Sequence, residues 1–379
     1  MIKKTFLTLL TIFILIVGYK ASTYISSTSQ DLIPVCNDNK WGVINKSGKQ
    51  IVPFKYDNPI AFEEGLAVVC INDKCGFIDG TGKEVIPLKY NIPFSFNEGL
   101  AAINKGDKYG YINKSNQEVI HLQYDAASSF SDGLAAVYKG GKWGYINKSN
   151  KVVIPFQYDN AFAFSDGLAS VKKGDKWGYI NKSGKQIIPF KYTEVTPLKN
   201  GFAKVNSANL SGLVNKEGKE VIPPFYTNLE APKEGLMAAC NNADNGDGYK
   251  CGFINTKNKV VIPFAYTWVT DFADGLAAVQ GYNHEWFFIN KHGKKVFPIK
   301  YSVVGNFSEG LTSVCEPVCK CGFIDKTGKE VIERKYEAVS DFKNGVAAVL
   351  IEGIEKWGFI DKTGKMIIPP KYDWTGLVF

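Results

Sequence analysis

A unit of about 34 residues repeats through almost the whole sequence, and this repeat limits the fold more than any other feature. One copy of the motif spans residues 176–192 and reads KWGYINKSGKQIIPFKY. Its first aromatic position recurs at spacings of 34 to 40 residues and is occupied in turn by Trp41, Cys75, Tyr109, Trp143, Trp177, Ser211, Cys251, Trp286, Cys321 and Trp357. A chain of 379 residues would otherwise suggest two or three domains. Ten consecutive units without a linker instead predict one repeat domain, residues 32–379.

Each unit has the pattern of three short strands. The first strand, for example 133–137, leads into a two-residue turn whose residue types tolerate positive φ, as a type I′ hairpin requires. These turns are Asp38-Asn39, Asn72-Asp73, Gly106-Asp107, Gly140-Gly141 and Gly174-Asp175. The second strand, for example 143–146, ends in every unit at Asn or Asp, whose side chain can bond the backbone two residues later. Three residues further comes Gly or Asn, which indicates a left-handed backbone position. We expect the third strand, for example 152–154, to stop at Pro155 because proline cannot continue a ladder.

These features predict an all-β fold, a tandem array of about ten three-stranded β-hairpin units of 34–40 residues. Each unit buries its apolar side chains only against its neighbours. Such an array either stays open as a twisted solenoid or closes into a propeller. Propeller blades usually have four strands, and propellers usually have four to eight blades. We therefore favour the open, solenoid-like array over the closed propeller.

Four units carry a Trp-Gly pair, at Trp41-Gly42, Trp143-Gly144, Trp177-Gly178 and Trp357-Gly358. In this feature the chain resembles the bacterial WG (KWG) repeat family, and the resemblance covers everything after residue 31. It implies little about function, because that family is largely a repeat without an assigned activity. Unit eight has Phe287 in place of the glycine, so we expect its local packing to differ.

Each unit that has cysteine in the Trp position also has cysteine on the facing strand. With Asn72-Asp73 as the turn, Cys70 and Cys75 form a non-hydrogen-bonded pair with Cα atoms about 4.5 Å apart, which is within disulfide reach. The predicted disulfides are Cys70–Cys75, Cys240–Cys251 and Cys315–Cys321. Two cysteines have no assigned partner, Cys36 and Cys319, although Cys319 could compete with Cys321 for Cys315. Zinc ligation by Cys315, Cys319 and Cys321 would lack a second Cys-x-x-Cys, so we predict neither a metal nor a cofactor.

Binding sites on repeat arrays normally lie where the repeats differ, which is in units six to nine here. The inserted loop 241–250 is rich in oxygen ligands but does not follow the calcium-loop spacing. In the irregular unit eight, two histidines flank a tryptophan. The candidate binding residues are Asp244, Asp247, Tyr249, His284, Trp286 and His292.

We predict no catalytic residues. The three histidines, His121, His284 and His292, cannot be assembled into a Ser–His–acid arrangement, and the chain has no Gly-rich phosphate loop. An acidic residue before glycine recurs in most units, at Glu64, Glu98, Asp132, Asp166, Glu234, Asp274 and Glu309. Glycoside hydrolysis needs one carboxylate pair in unequal environments. These carboxylates are equivalent, which is typical of a structural turn.

One tyrosine position is filled in all ten units, at Tyr56, Tyr90, Tyr124, Tyr158, Tyr192, Tyr226, Tyr266, Tyr301, Tyr336 and Tyr372. We expect these rings to pack between units, with each hydroxyl on a loop carbonyl. The alternative is an exposed aromatic ladder that stacks on sugar rings.

The N-terminus predicts export. Met1-Ile-Lys-Lys precedes an apolar run from residue 6 to 17, which is typical of a secretory signal or an N-terminal anchor over residues 1–22. A short linker, 23–31, would follow. The net charge of +8 is spread along the chain without forming a patch. The absence of a basic patch and the predicted export argue against nucleic acid as a partner. We expect contact with a membrane only through the N-terminal segment, if that segment is not cleaved.

The sequence therefore predicts a non-catalytic repeat protein that is periplasmic, in the cell envelope or secreted. It would present an extended surface to another macromolecule, a protein as the first choice and a glycan as the second. The alternatives are a structural envelope component without a discrete ligand and a glycan-acting envelope enzyme.

Overall fold

The computed structural model describes residues 32–91, 93–242, 248–316 and 320–377, which form ten antiparallel sheets. The predicted signal and linker, the candidate residues Asp244 and Asp247, and Cys319 lie outside the described residues. We number the sheets as blades one to ten and call their strands the short strand and the first, second and third long strands.

The strand bounds show the repeat directly. Blade one contains Leu32–Asn37, Lys40–Asn45, Gln50–Tyr56 and, from the C-terminus, Trp374–Thr375. Blade two contains Phe62–Glu63, Leu66–Ile71, Lys74–Asp79 and Glu84–Tyr90, and blade three Leu100–Lys105, Lys108–Asn113 and Glu118–Tyr124. Blade four contains Ala126–Ala127, Leu134–Lys139, Lys142–Asn147 and Val152–Tyr158, and blade five Asn160–Ala161, Leu168–Lys173, Lys176–Asn181 and Gln186–Tyr192.

The second half follows the same plan. Blade six contains Glu194–Val195, Phe202–Ser207, Leu210–Asn215 and Glu220–Tyr226, and blade seven Asn228–Leu229, Met237–Asn242, Tyr249–Ile254 and Val260–Tyr266. Blade eight contains Trp268–Val269, Leu276–Gln280, Trp286–Asn290 and Lys295–Pro298, and blade nine Val303–Val304, Leu311–Cys315, Cys321–Asp325 and Glu330–Tyr336. Blade ten contains Ala338–Val339, Val346–Leu350, Trp357–Asp361 and Met366–Tyr372.

The ten blades close into a ring, so the prediction of an open array is wrong. The last strand of the chain pairs with the first, with Thr375 opposite Val35 and Trp374 opposite Cys36. An apolar cluster joins the two end blades, for example Ile33 and Val35 with Phe359. Ten such clusters join neighbouring blades in the described structure, whereas an open row of ten blades would have nine interfaces. The fold is a ten-bladed β-propeller.

The prediction of three strands per unit is also wrong, because nine of the described sheets have four strands. In eight of these sheets the fourth is a two-residue strand that pairs with the far end of the first long strand, as Ala126 does with Tyr138 and Ala127 with Val137. In blade two it is Phe62–Glu63, which pairs at the acidic-Gly corner instead, with Glu63 opposite Leu66. Blade three has three strands among the described residues. The repeat would place its short strand at Ile92, which is not described. Two residues are too few to produce a readable alternation of apolar and polar side chains.

The predicted turns are present. Asn45 Oδ1 accepts hydrogen bonds from the backbone N–H groups of Ser47 and Lys49 at 3.0 and 2.9 Å. The Gly or Asn three residues after this position has positive φ in all ten blades, from 58° at Asn258 to 86° at Gly218. Among the hairpin turns, Asp38-Asn39, Asn72-Asp73 and Gly140-Gly141 have positive φ at both residues, as type I′ requires. At Gly106-Asp107 and Gly174-Asp175 only the glycine does.

The third long strand does not stop at proline, which corrects another expectation. Val152–Tyr158 runs through Pro155 as the last strand in its sheet order. Trp143 pairs with Tyr158 and Tyr145 with Ile154, so the third strand carries two extra residues and bulges between these pairs. Proline is tolerated in such a bulge on an edge strand.

The bulge explains the glycine of the Trp-Gly pair. A methyl group at Gly178 would lie 2.7 Å from the carbonyl oxygen of Ile188 in the bulge. Blade eight has Phe287 at this position, and its third strand is correspondingly different. Phe287 pairs with Pro298 and Phe288 with Phe297 in regular succession, and the strand ends at Pro298. Loss of the glycine thus coincides with loss of the bulge.

Candidate functional site

The ring has two faces that differ in chemistry. On the tip face lie the hairpin turns between the first and second long strands. On the opposite corner face lie the Asx turns and the acidic-Gly corners, which are two-residue hairpins, as the mutual hydrogen bonds of Ser131 and Leu134 show. Antiparallel pairing places these two groups of turns at opposite ends of every blade.

Carboxylates on the corner face serve to connect blades. Asp166 Oδ2 accepts a hydrogen bond from the N–H of Gly201 in the next blade at 2.7 Å. Glu309 Oε2 accepts from Gly345 N–H at 3.0 Å and pairs with Lys362 at 2.9 Å. Burial by itself favours the neutral form of Glu309, but the bonds from Lys362 and Gly345 outweigh it and hold the pKa of the carboxyl below its usual value. These groups have the structural role that their equivalence predicts.

Disulfides on the tip side take the place of tryptophan in three blades. Cys70–Cys75, Cys240–Cys251 and Cys315–Cys321 are bonded in the predicted pairs, with Cα atoms 4.0, 4.1 and 4.1 Å apart. Cys36 is the free cysteine among the described residues and is buried. It lies between Trp41 and Trp374 in the sheet that closes the ring.

Three of the six exposed large aromatic side chains among the described residues lie on the tip side of blades seven and eight. Tyr249, Trp268 and Tyr282 are 47%, 56% and 54% exposed, and we call them the aromatic tip patch. Trp268 begins the short strand of blade eight, which contacts the second long strand of blade seven, where Tyr249 lies. At the position of Trp268 most other blades have small or polar residues, namely Ala126, Asn160, Glu194, Asn228 and Ala338, whereas blade one also has tryptophan, Trp374. Exposing three large rings has no structural benefit, because their apolar area stays in contact with water.

The structure separates the residues nominated from the sequence. Tyr249 and His284 lie at the tip face, and His284 has a φ of 64° in its turn. Trp286 packs against the apolar cluster between blades eight and nine. The N–H of His292 bonds Asn290 Oδ1 in the Asx turn on the corner face. His284 and His292 are therefore roughly 20 Å apart at ~3.3 Å per strand residue and do not share a site. Sequence reasoning missed Trp268 and Tyr282, although Trp268 departs visibly from its repeat position.

The repeated tyrosines pack between blades. Tyr124 belongs to the cluster of blades three and four, and its hydroxyl donates to Asn150 Oδ1 of the next blade at 2.6 Å. Burial raises the pKa of Tyr124. The expected hydroxyl partner, a loop carbonyl, belongs instead to a different tyrosine row, in which Tyr111 donates to the Ser128 carbonyl at 2.8 Å. A buried ring of this kind offers no face to a sugar.

Comparison with protein families identifies the repeat. The model described as "WG containing repeat" matches ten consecutive segments, residues 41–75, 76–109, 109–143, 143–177, 177–210, 212–243, 252–281, 286–316, 322–353 and 357–377. The chain belongs to the WG-repeat family. In this WG-repeat protein, each matched segment starts at or next to the Trp position of a blade. Comparison with curated protein sequences finds no match.

The WG-repeat propeller is also similar to solved structures. A structure described as the eukaryotic initiation factor is 9% identical with a TM-score of 0.51, over 91% of this chain and 97% of that one. BamB from Moraxella catarrhalis is 12% identical with a TM-score of 0.32, over 77% of this chain and 92% of that one. PorZ from Porphyromonas gingivalis is 8% identical with a TM-score of 0.30, over 87% and 56%. The first likeness concerns the fold alone, and the other two carry no functional argument.

The described residues contain no group of three or more His, Cys, Asp or Glu side chains that could hold a metal ion. Across the same ranges, no helix has the length and hydropathy needed to cross a bilayer.

Proposed function

We propose that this protein is an exported, non-catalytic binding propeller whose partner is another protein. The observation that carries the proposal is the aromatic tip patch. Tyr and Trp are the side chains that most often dominate protein–protein binding energy. Here Tyr249, Trp268 and Tyr282 stand exposed on two adjacent blades.

The disulfides support export. Disulfides persist in oxidising compartments and are rare in the cytosol. Three of the ten blades have a disulfide at the position where other blades have a packed tryptophan. The apolar N-terminal segment 6–17, read as a secretory signal, points to the same compartment.

The use of the acidic residues supports a non-catalytic role. A general acid needs a raised pKa and a base needs a free lone pair close to substrate. The corner carboxylates instead bond glycine N–H groups of the next blade, as at Asp132 with Gly167 and Asp274 with Gly310, both at 2.7 Å.

A photo-crosslinking amino acid at position 282, in the native host, tests the proposal. The matched control carries it at position 354, because Ile354 is 51% exposed at the tip of blade ten. We expect a protein adduct from position 282 that excess unlabelled protein competes away and that position 354 does not give. Trp268→Lys should abolish the adduct, whereas Ile354→Lys should leave it. No adduct, or equal adducts from both positions, would contradict the proposal and favour a structural envelope component.

A further inference from the structure

A cleft between blades five and six has a different chemistry from the tip patch. Its volume is about 390 Å³, and it is lined by Phe162 and Trp177 on one side and by Glu194, Thr196, Lys204 and Asn206 on the other. This volume is at the lower end of the range for small-ligand sites. It suits one or two rings better than a long folded segment.

Phe162 stands at a position that varies among the blades. Four sister blades have Ser or Thr there, and the side-chain oxygen accepts a hydrogen bond from the facing strand. Blade three also has phenylalanine, Phe94, whose ring lies 6.4 Å from that of Tyr109. Ser128 accepts from Ala136 N–H at 3.0 Å and Thr196 from Lys204 N–H at 3.0 Å. Thr270 and Ser340 do the same at 3.0 and 2.9 Å. Phenylalanine cannot accept this bond, so blade five lacks it, as blade three does.

Two groups beside this position are energetically unfavourable. Phe162 is 41% exposed, so its apolar ring stays in water. Its N–H bonds the carbonyl of Ser170, and the buried Ser170 hydroxyl has no hydrogen-bond partner among the described atoms. An unpaired buried hydroxyl and an exposed ring are both unfavourable. Costs of this kind tend to be retained where they serve function.

Phe162 gains a ring neighbour instead. Its ring stacks on Trp177 with centroids 5.2 Å apart and an interplanar angle of 27°. In blade four, Trp143 contacts Tyr138 on the facing strand, whereas Trp177 faces Lys172. The two rings therefore form an aromatic wall that borders the cleft.

Fixed polar groups form the other wall. Glu194 lies opposite Asn206 in the sheet, and Asn206 Nδ2 donates to Glu194 Oε2 at 2.9 Å. Asn206 Oδ1 in turn accepts from Ser211 Oγ at 3.0 Å. Ser211 stands in the Trp position of blade six, and its small side chain makes this bond where other blades have an indole. The carboxylate is thus held in place with a second oxygen available as an acceptor.

We propose that this cleft binds a pyranose unit of a neutral glycan. One face of a pyranose ring is lined with C–H groups, which suit the electron-rich face of an aromatic ring. The rim of the same sugar carries hydroxyl groups, which can donate to Glu194 and accept from Lys204. A purely apolar ligand would desolvate the second carboxylate oxygen without offering it a hydrogen bond. This proposal does not depend on the protein partner of the tip patch.

Glycan binding can be measured with the purified full chain on an array of defined oligosaccharides, followed by titration calorimetry with the best ligand. We expect Phe162→Ser to weaken binding about tenfold, the effect of losing roughly one aromatic contact. It should keep or raise the melting temperature, because serine restores the bond made in sister blades. Glu194→Ala should weaken binding several-fold, whereas the matched Asn228→Ala in blade seven should not.

The outcomes separate cleanly. Selective loss of glycan affinity in a stable Phe162→Ser protein supports the proposal. No bound glycan on the array, or equal affinity in Phe162→Ser and the wild type, overturns it. A library of displayed peptides tests the alternative ligand class. If the cleft binds an aromatic peptide, if Phe162→Ser abolishes this binding and if no glycan binds, the ligand is a peptide and the glycan proposal is overturned. Tip-patch variants such as Trp268→Lys should leave glycan affinity unchanged.

Discussion

The backbone N–H of Asp38 donates a hydrogen bond of 2.6 Å to the carboxylate of Asp373, 335 residues later in the chain. The same carboxylate pairs with Lys356. An identical arrangement joins neighbours inside the chain, where Asp159 bonds Gly174 N–H at 2.7 Å and pairs with Lys142. The two ends of the chain therefore meet as consecutive blades do, and this contact forms the seam of the ring.

The seam should open more readily than an internal junction, because no peptide bond crosses it. We expect Asp373→Ala to speed amide hydrogen exchange about tenfold in the strand Leu32–Asn37. Asp159→Ala removes the equivalent contacts and should have a smaller effect in Leu168–Lys173. Equal acceleration at both strands, measured by mass spectrometry, would show that the seam is no weaker than other junctions.

The glycine that follows the Trp position should be intolerant of any side chain, also in blade two, where Cys75 fills that position. A methyl group at Gly76 would lie 2.3 Å from the Ile86 carbonyl oxygen, whereas no atom lies within 4 Å of one at Gly80 in the same blade. We expect Gly76→Ala to lower the free energy of unfolding by about 2–4 kcal/mol through overpacking. Gly80→Ala should change it by less than about 0.5 kcal/mol. Urea unfolding followed by tryptophan fluorescence measures both, and comparable losses would contradict this account of the glycine.

Corner carboxylates should make stability depend on acid pH. The pKa of Glu309 is held below its usual value, because the bonds from Lys362 and Gly345 outweigh the effect of burial. The folded state therefore binds the proton less readily than the unfolded chain. Glu309 contributes stability above the unfolded pKa of about 4.3, and the contribution is lost as pH falls through the folded value.

A pair of glutamine variants tests this pH dependence. Glu309→Gln should be less stable than the wild type near neutral pH, and the difference should vanish at strongly acid pH. Glu333→Gln, at a side chain that is 73% exposed, should differ little at any pH. A constant difference between Glu309→Gln and the wild type from neutral to acid pH would argue against an electrostatic role.

Each disulfide should add stability where tryptophan is missing. We expect Cys70→Ser/Cys75→Ser to lower the free energy of unfolding by about 2–3 kcal/mol on the loop-entropy model. Mass mapping without reduction should give linked peptides for Cys70–Cys75, Cys240–Cys251 and Cys315–Cys321. Free thiols at these six positions in protein from the native host would remove the main structural support for export.

Local features of this fold could be predicted from the sequence, because each is decided within a few residues. The positive φ of Asn116 and Gly184 and the disulfide register of Cys70 with Cys75 follow from turn length and residue type. Closure could not be predicted in this way. It depends on the small rotation between successive blades, summed ten times, and on the two-residue strand Trp374–Thr375. Neither leaves a periodic signal in the sequence.

The candidate site was predicted only in part, for a similar reason. Irregular units pointed to Tyr249 and His284, which do lie on the tip face. Trp286 and His292 belong to the same irregular unit but are not part of this site. Trp286 packs against the core, and His292 lies in an ordinary Asx turn. Phe162 was missed because unit five has the regular length. Its position also varies among the blades, with Phe94 in blade three and Ser128 in blade four, so a phenylalanine there gives no clear signal in the sequence.

Ring closure can be tested most directly with a single new thiol. Trp374 lies opposite the native free Cys36, so Trp374→Cys places two thiols within disulfide reach. Oxidation should be run at mildly alkaline pH, because burial and the nearby Asp373 raise the pKa of Cys36. We predict an intramolecular bond between Cys36 and position 374, found by peptide mapping and absent from Trp374→Cys/Cys36→Ser. Failure to form this bond in the folded monomer would contradict a closed ring, because only closure brings the two ends of the chain together.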